Sequence, residues 1–117
     1  MSPHLEKKLL EKFPDLYKKY YLGVGQSPMG WGFDCPDDWY ESICLLSRKI
    51  TNYMREHNCV IEADQVKEKF GSFCFYWSYE GALDKDHTDI YNDIEGMIRE
   101  CQRDIAAQGG KSRLEEF

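Results

Sequence analysis

Five cysteines, three histidines and an excess of carboxylates are the groups through which this chain could do chemistry. Nucleophilic catalysis needs a Cys or Ser beside a base. His57 and Cys59 form the one close pair of that kind; the other histidines are His4 and His87. The pair falls where a helix should hand over to a strand, a place where such residues more often cap or pack. Carboxylates for acid–base work could come from Asp34, Asp37, Asp38 and Glu41. A helix N-terminus lowers a carboxylate pKa, which suits capping better than proton donation. A zinc site would have to draw on Cys35, Cys59, Cys74 and Cys101, and no Cys-x-x-Cys pair occurs, so free thiols, several of them buried, are the expected state. Gly23-x-Gly25 neither follows a strand nor opens a helix, and a phosphate cradle requires both. No catalytic residue, metal or cofactor is therefore expected.

Two other groups suit a partner better than a reaction. Lys67, Glu68, Lys69 and Phe70, closed by Gly71, read as a charged hairpin turn with one aromatic among the charges. An apolar anchor ringed by polar groups fits a protein contact. The alternative, slightly preferred on sequence grounds, is that Phe70 folds back into the core and the charges keep the turn soluble. The second group is Asp89, Asp93, Glu100 and Asp104, which fall within about 60° on a helical wheel of 3.6 residues per turn. Such a stripe is usually a solvated helix face; the functional alternative is a phosphate-spaced surface that competes for a nucleic-acid site on a partner.

The elements that must position these residues are legible in the apolar spacing. Val60 to Tyr79 reads as two strands. After Gly71 the odd positions Phe73, Phe75, Trp77 and Tyr79 are all large aromatics and the even positions are milder, the alternation of a strand with one buried face. Val60, Ile61, Ala63 and Val66 form a weaker, half-exposed strand. A lone hairpin is marginal in water, so its aromatic face needs a cover. Trp39, Ile43, Leu46, Ile50 and Tyr53 recur at helical steps, with Asn58 as the stop. Ile90, Ile94, Met97, Ile98, Cys101 and Ile105 do the same, with Gly109-Gly110 as the stop. Ser2-Pro3 opens an N-terminal helix, the hydroxyl as cap, with Asp15 to Tyr21 as a short second one. Leu22 to Pro36 is a loop rich in Gly and Pro, with Trp31 and Phe33 expected to tuck inward.

The expected fold is thus a single α+β domain over residues 1–117. It comprises an N-terminal helical segment (1–21), a packed Gly-rich loop (22–36), a helix (37–57), an antiparallel β-hairpin alone or within a small sheet (59–79), a helix (88–108) and a tail (111–117). The hairpin packs against the two long amphipathic helices, a stable two-layer solution.

Charge narrows the partner. The net charge is −6, but residues 1–33 carry five Lys against three Asp/Glu, whereas residues 34–117 carry ten Lys/Arg against eighteen Asp/Glu. An acidic body argues against direct nucleic-acid binding, which relies on clustered Lys and Arg, and permits a basic protein surface as partner. No apolar run approaches the ~20 residues of a membrane span, and Met1 to Lys12 lacks the apolar core of a leader. A cytoplasmic protein with reduced thiols is expected.

Phe13-Pro14-Asp15-Leu16, Met29-Gly30-Trp31-Gly32-Phe33-Asp34-Cys35, Asp38-Trp39-Tyr40 and above all Gln65-Val66-Lys67-Glu68-Lys69-Phe70-Gly71, followed by Phe75-Tyr76, stand in one order across residues 13–79. In this the chain resembles a family of small uncharacterised phage and prophage proteins. Relatives often carry a Leu-Arg-Phe-Tyr pattern where this chain has Phe73 and Cys74 before the Phe-Tyr pair. They often end in a Cys-x-x-Cys pair where this chain has only Cys101, followed by Gln102, Arg103 and Asp104. The resemblance implies a phage-type setting and a fold, without a mechanism. The expected function is a non-catalytic phage accessory protein that binds a host protein or nucleoprotein complex, most economically a counter-defence inhibitor of a nuclease or CRISPR-type complex. The rivals are a small enzyme or nucleotide-binding protein with a pocket between the Gly-rich loop and the hairpin, around Trp31, Asp34 and Lys69, and a structural phage component.

Overall fold

Helix α2 (Tyr40–His57) forms around the stripe that the sequence announces. Trp39 just before it, then Ile43, Leu46, Ile50 and Tyr53, are all buried. Asp37 and Asp38 lie in a short 3₁₀ turn ahead of the helix, and Asn58 ends it in the left-handed conformation, which Asn tolerates better than most residues. The structure, a computed structural model, describes residues 1–81 and 86–115, with side chains among these up to residue 108.

Strands β2 (Val60–Lys69) and β3 (Ser72–Glu80) pair antiparallel, Val60 opposite Glu80 and Lys69 opposite Ser72. The turn is therefore shorter than expected: Lys67 and Lys69 belong to the strand, and only Phe70 and Gly71 connect. The weak alternation of β2 has a specific cause. Asp64 is an extra residue between the paired positions Ala63 and Gln65, a bulge that switches the inward face from Ile61 and Ala63 to Val66, all three fully buried. On β3 the aromatic face is buried at Phe73 and Phe75, while Trp77 and Tyr79 lie half-buried at its rim.

The hairpin is part of a three-stranded mixed sheet, because Phe33-Asp34 form a strand, β1, parallel to Val66-Lys67. This strand lies in the stretch read as irregular. The adjoining edge of β2 is met by the segment after α1 (Pro3–Lys12): the Ala63 amide donates to the Leu16 carbonyl at 2.8 Å. Lys19 pairs with Asp64 and, at 3.8 Å, with Glu62. The bulge is thus the docking point of the N-terminal segment, and the hydrogen bond to the Asp64 carboxylate pushes the Lys19 pKa up.

The loop between these segments packs on itself. A Cβ at Gly30 would collide with the backbone of Gly23 and Val24, so the two limbs of the loop touch only because position 30 is Gly. Phe33 is buried edge-on against Tyr17, ring centroids 4.9 Å apart. Trp31 corrects the expectation: it is 73% exposed, because Gly32, at φ 78°, turns the chain between it and Phe33. Ser2 does not cap α1 with its hydroxyl; its amide instead donates to Asp37 Oδ1 at 2.6 Å.

Helix α3 (His87–Glu115) lies against α2 and β3. It buries Ile90, Ile94, Ile98, Cys101 and Ile105 in one cluster with the α2 stripe and the inward sheet residues. Gln102 Nε2 donates to the Phe73 carbonyl at 2.9 Å, which ties the helix to β3 near the turn. The helix continues through Gly109-Gly110, where a stop was expected; a glycine in a helix costs about 1 kcal/mol against Ala, a weakening and no absolute barrier. Residues 82–85 and the end of the expected tail, at 116–117, fall outside the described residues. Among the described residues no helix is long and apolar enough to cross a membrane. The domain is α+β: three α-helices and a small mixed sheet.

Candidate functional site

The hairpin tip is built from rigid parts. Val66 on β2 and Phe73 on β3 are the last fully buried residues before the turn. Val66 is paired on both sides, by Phe33 and Phe75. Phe73 pairs with Glu68, two residues before Phe70, so at a strand rise of about 3.3 Å per residue the tip stands roughly 7 Å beyond the last buried level of the hairpin. Phe70 and Gly71 both have positive φ, 52° and 82°. Two such residues are what a tight two-residue hairpin turn requires, and Asn-Gly or Asp-Gly is the usual solution. A left-handed conformation costs a residue with an ordinary side chain roughly 1–2 kcal/mol. Phe70 recovers none of this by packing, since it is 97% exposed. The reading in which Phe70 folds into the core is therefore overturned.

The charged neighbours divide. Lys67 sits 5.9 Å over the ring of Tyr76 on the outer face of the sheet, whereas Glu68 and Lys69 are exposed beside Phe70. The tip thus presents a naked ring flanked by one charge of each sign.

The carboxylates of α3 are not gathered with the tip. From Asp89 to Asp104 they are spread over roughly 22 Å of helix at 1.5 Å per residue. Asp93 accepts a hydrogen bond from Tyr53 Oη at 2.8 Å, and Glu100 pairs with Lys49 at 3.2 Å, so these two join α3 to α2. Asp89 and Asp104 are exposed.

Most of the thiols are buried. Cys35, Cys44, Cys59 and Cys101 are buried and Cys74 is half-buried. Burial pushes the Cys35 and Cys101 pKa values up to about 12, so both are protonated at neutral pH, the unreactive form. Tyr17, buried with its hydroxyl 2.6 Å from Ser47 Oγ, is also held well above the ordinary phenol value by burial. The His57 ring lies 4.4 Å from that of Tyr53. Among the described residues no group of three or more His, Cys, Asp or Glu could hold a metal ion.

No family model matches this chain, and no curated protein or solved structure matches it. The site must be read from its own geometry.

Two of the concave regions among the described residues bear on the site. A cleft of about 570 Å³ lies between the Gly-rich loop and the sheet, lined by Glu6, Trp31, Asp34 and Gln65 among others. Of the three residues expected there, Trp31 and Asp34 line it and Lys69 does not. Glu6 accepts from the Phe33 amide at 2.7 Å. The lining residues include two carboxylates, Glu6 and Asp34, and neither Lys nor Arg; the Met1 ammonium also lines the cleft and donates to the Phe33 and Cys35 carbonyls. The second is a groove of about 560 Å³ where the far end of β3 meets the first turns of α3. Sequence reading passed over this groove, although its signals are present: aromatics at Trp77 and Tyr79 two apart on a strand, and His87, Tyr91 and Glu95 four apart on a helix. It also passed over the loop surface formed by Tyr21, Leu22, Val24 and Trp31, all exposed.

Proposed function

We propose that this chain is a non-catalytic accessory protein that binds another protein through the β2–β3 tip, with Phe70 as the anchor. One observation carries the reading. Phe70 takes a backbone conformation that costs an aromatic residue free energy, and it exposes nearly its whole side chain. Both costs vanish if Asn or Gly replaces it, so its presence is accounted for by a contact made outside this chain. An aromatic that enters a pocket on a partner, rimmed by Glu68 and Lys69, has the form of an interface hot spot. The exposed apolar loop residues Tyr21, Leu22, Val24 and Trp31 offer a second contact area.

The resemblance to phage proteins, whose most specific stretch is this same hairpin, supports a host protein met in the cytoplasm as the partner. Inhibition of a nuclease or CRISPR-type complex is the version that asks least of so small a chain. The tip supports it better than the α3 carboxylates do, since Asp93 and Glu100 already serve the α2–α3 contact.

The test is Phe70→Asn beside the parent chain. The variant is expected to keep its circular dichroism spectrum and lose stoichiometric capture of the partner from host lysate. A partner retained by the variant with unchanged affinity would remove the tip from the interface. Absence of any stoichiometric partner for the parent at micromolar concentration would remove the function.

A further inference from the structure

At the end of the hairpin remote from Phe70, four rings face one another across the β3–α3 junction. Trp77 and Tyr79 are two apart on β3 and share a face. His87 and Tyr91 are four apart on α3 and share a face. The Trp77 and Tyr91 rings lie 6.1 Å apart and 28° from parallel, Tyr79 and His87 5.4 Å apart at 33°, and Trp77 and Tyr79 6.2 Å apart at 39°. The Tyr79 hydroxyl is hydrogen-bonded to His87 Nδ1, which ties one pair. One turn beyond Tyr91, Glu95 closes the array: its Oε1 accepts from Trp77 Nε1 at 2.8 Å. That bond orients both indole and carboxylate. The residues together line the groove of about 560 Å³, within the usual range for a small-ligand site.

Charge selects the occupant. Ring faces carry the negative lobe of the aromatic quadrupole and attract cations. Glu95 adds a full negative charge and has no ion-pair partner among the described residues. Asp64 also reaches the groove but is neutralised by Lys19. Among the described residues neither Lys nor Arg lines the groove, so a phosphate or carboxylate ligand finds no lysine or arginine partner among them. A primary ammonium would need several oxygen acceptors to replace its water, and the groove is mostly rings. A methylated ammonium has little such need, and it gains from ring faces and one fixed carboxylate.

We infer that this groove binds a methylated ammonium group, its faces supplied by Trp77, Tyr79 and Tyr91 and its countercharge by Glu95. The site is separate from the hairpin tip and does not depend on it. Two sources share the chemistry: a free quaternary ammonium compound and a trimethylated lysine of a protein.

The experiment is a titration of the full chain with choline, followed by the indole N–H signal of Trp77 in nitrogen–proton correlation spectra. Expected are a saturable shift of that signal and about tenfold weaker binding of 3,3-dimethylbutanol, the uncharged isostere. Glu95→Gln keeps an oxygen for the indole and loses the charge; it should weaken choline about tenfold while the spectrum stays folded. Tyr91→Ala, at a half-exposed position, should weaken it without unfolding. A trimethyl-lysine peptide that binds more tightly than choline identifies a protein side chain as the source; the reverse order identifies the free compound. Absence of a saturable shift at about 100 mM choline, equal affinity for the isostere, or an unchanged affinity in both variants would overturn the inference.

Discussion

Two regions of this molecule place a residue other than glycine at nearly the same positive φ: Asn58 at 51°, where α2 ends, and Phe70 at 52°, at the hairpin tip. At the helix end, residue type and backbone agree. Asn is among the few types that enter the left-handed region readily, and the turn it makes lets the Asn58 and Cys59 amides both reach the Met54 carbonyl. At the tip they disagree. The turn geometry asks for Asn or Gly at the first position, and the chain supplies a large aromatic with nothing to pack against. The difference separates a residue chosen for its backbone from one chosen for its side chain. The same hairpin shows at its other end what aromatics do when a second element is near: Trp77 and Tyr79 lean on Tyr91 and His87.

The largest effect expected concerns the mounting on which the tip depends. Phe73 is 1% exposed and its ring meets that of Trp39 edge-on at 6.1 Å. Phe73→Ala should cost about 3–5 kcal/mol in urea unfolding, and partner binding should fall with it. If stability held and binding fell, the tip would be positioned by something other than the core.

Alkaline pH comes next. The folded Cys35 and Cys101 thiols have pKa values near 12 against an ordinary 9.0. A raised folded pKa means stability that is intact below the unfolded value and drains away as pH climbs toward the folded one, because the unfolded chain releases protons the native state retains. Under reducing conditions, unfolding free energy should drop by about 3 kcal/mol from pH 8 to pH 10 for the two thiols together. Tyr17 adds in the same direction above the ordinary phenol value. Cys101→Ala should roughly halve the thiol contribution. A flat profile over that window would show that the thiols reach solvent in the folded chain.

The sharpest test of the comparison is an exchange of residue types. Asn58→Phe should destabilise by about 1–2 kcal/mol and Phe70→Asn should stabilise by about 1 kcal/mol, measured by thermal and urea unfolding. Opposite signs at equal φ would show that the strain at the tip is real and is tolerated for its side chain. If Phe70→Asn were destabilising, the ring would have a packing role and the interface reading would weaken.

Much of the architecture was legible. The stripes Trp39 to Tyr53 and Ile90 to Ile105 bury as their spacing requires, since a helix turns identical steps onto one side wherever it lies. The alternation after Gly71 placed Phe73 and Phe75 correctly for the same local reason. Strand β1 was hidden, because two residues carry no period; Phe33-Asp34 become a strand only because the edge of β2 presents unpaired backbone groups. The bulge at Asp64 showed as a broken alternation, and its meaning depends on the Leu16 carbonyl that meets Ala63. Of the candidate site, the tip residues were named, but the turn was drawn too long and the groove beside α3 was missed, since no local pattern says which aromatic meets which helix.

The chain alone determined which sides of its helices and of β3 must be apolar, because periodicity follows from backbone geometry that every residue carries with it. Tertiary structure decided which large side chains found a neighbour: Phe33 and Phe73 did, Trp31 and Phe70 did not. Burial is a property of two surfaces, and one sequence position holds only one of them.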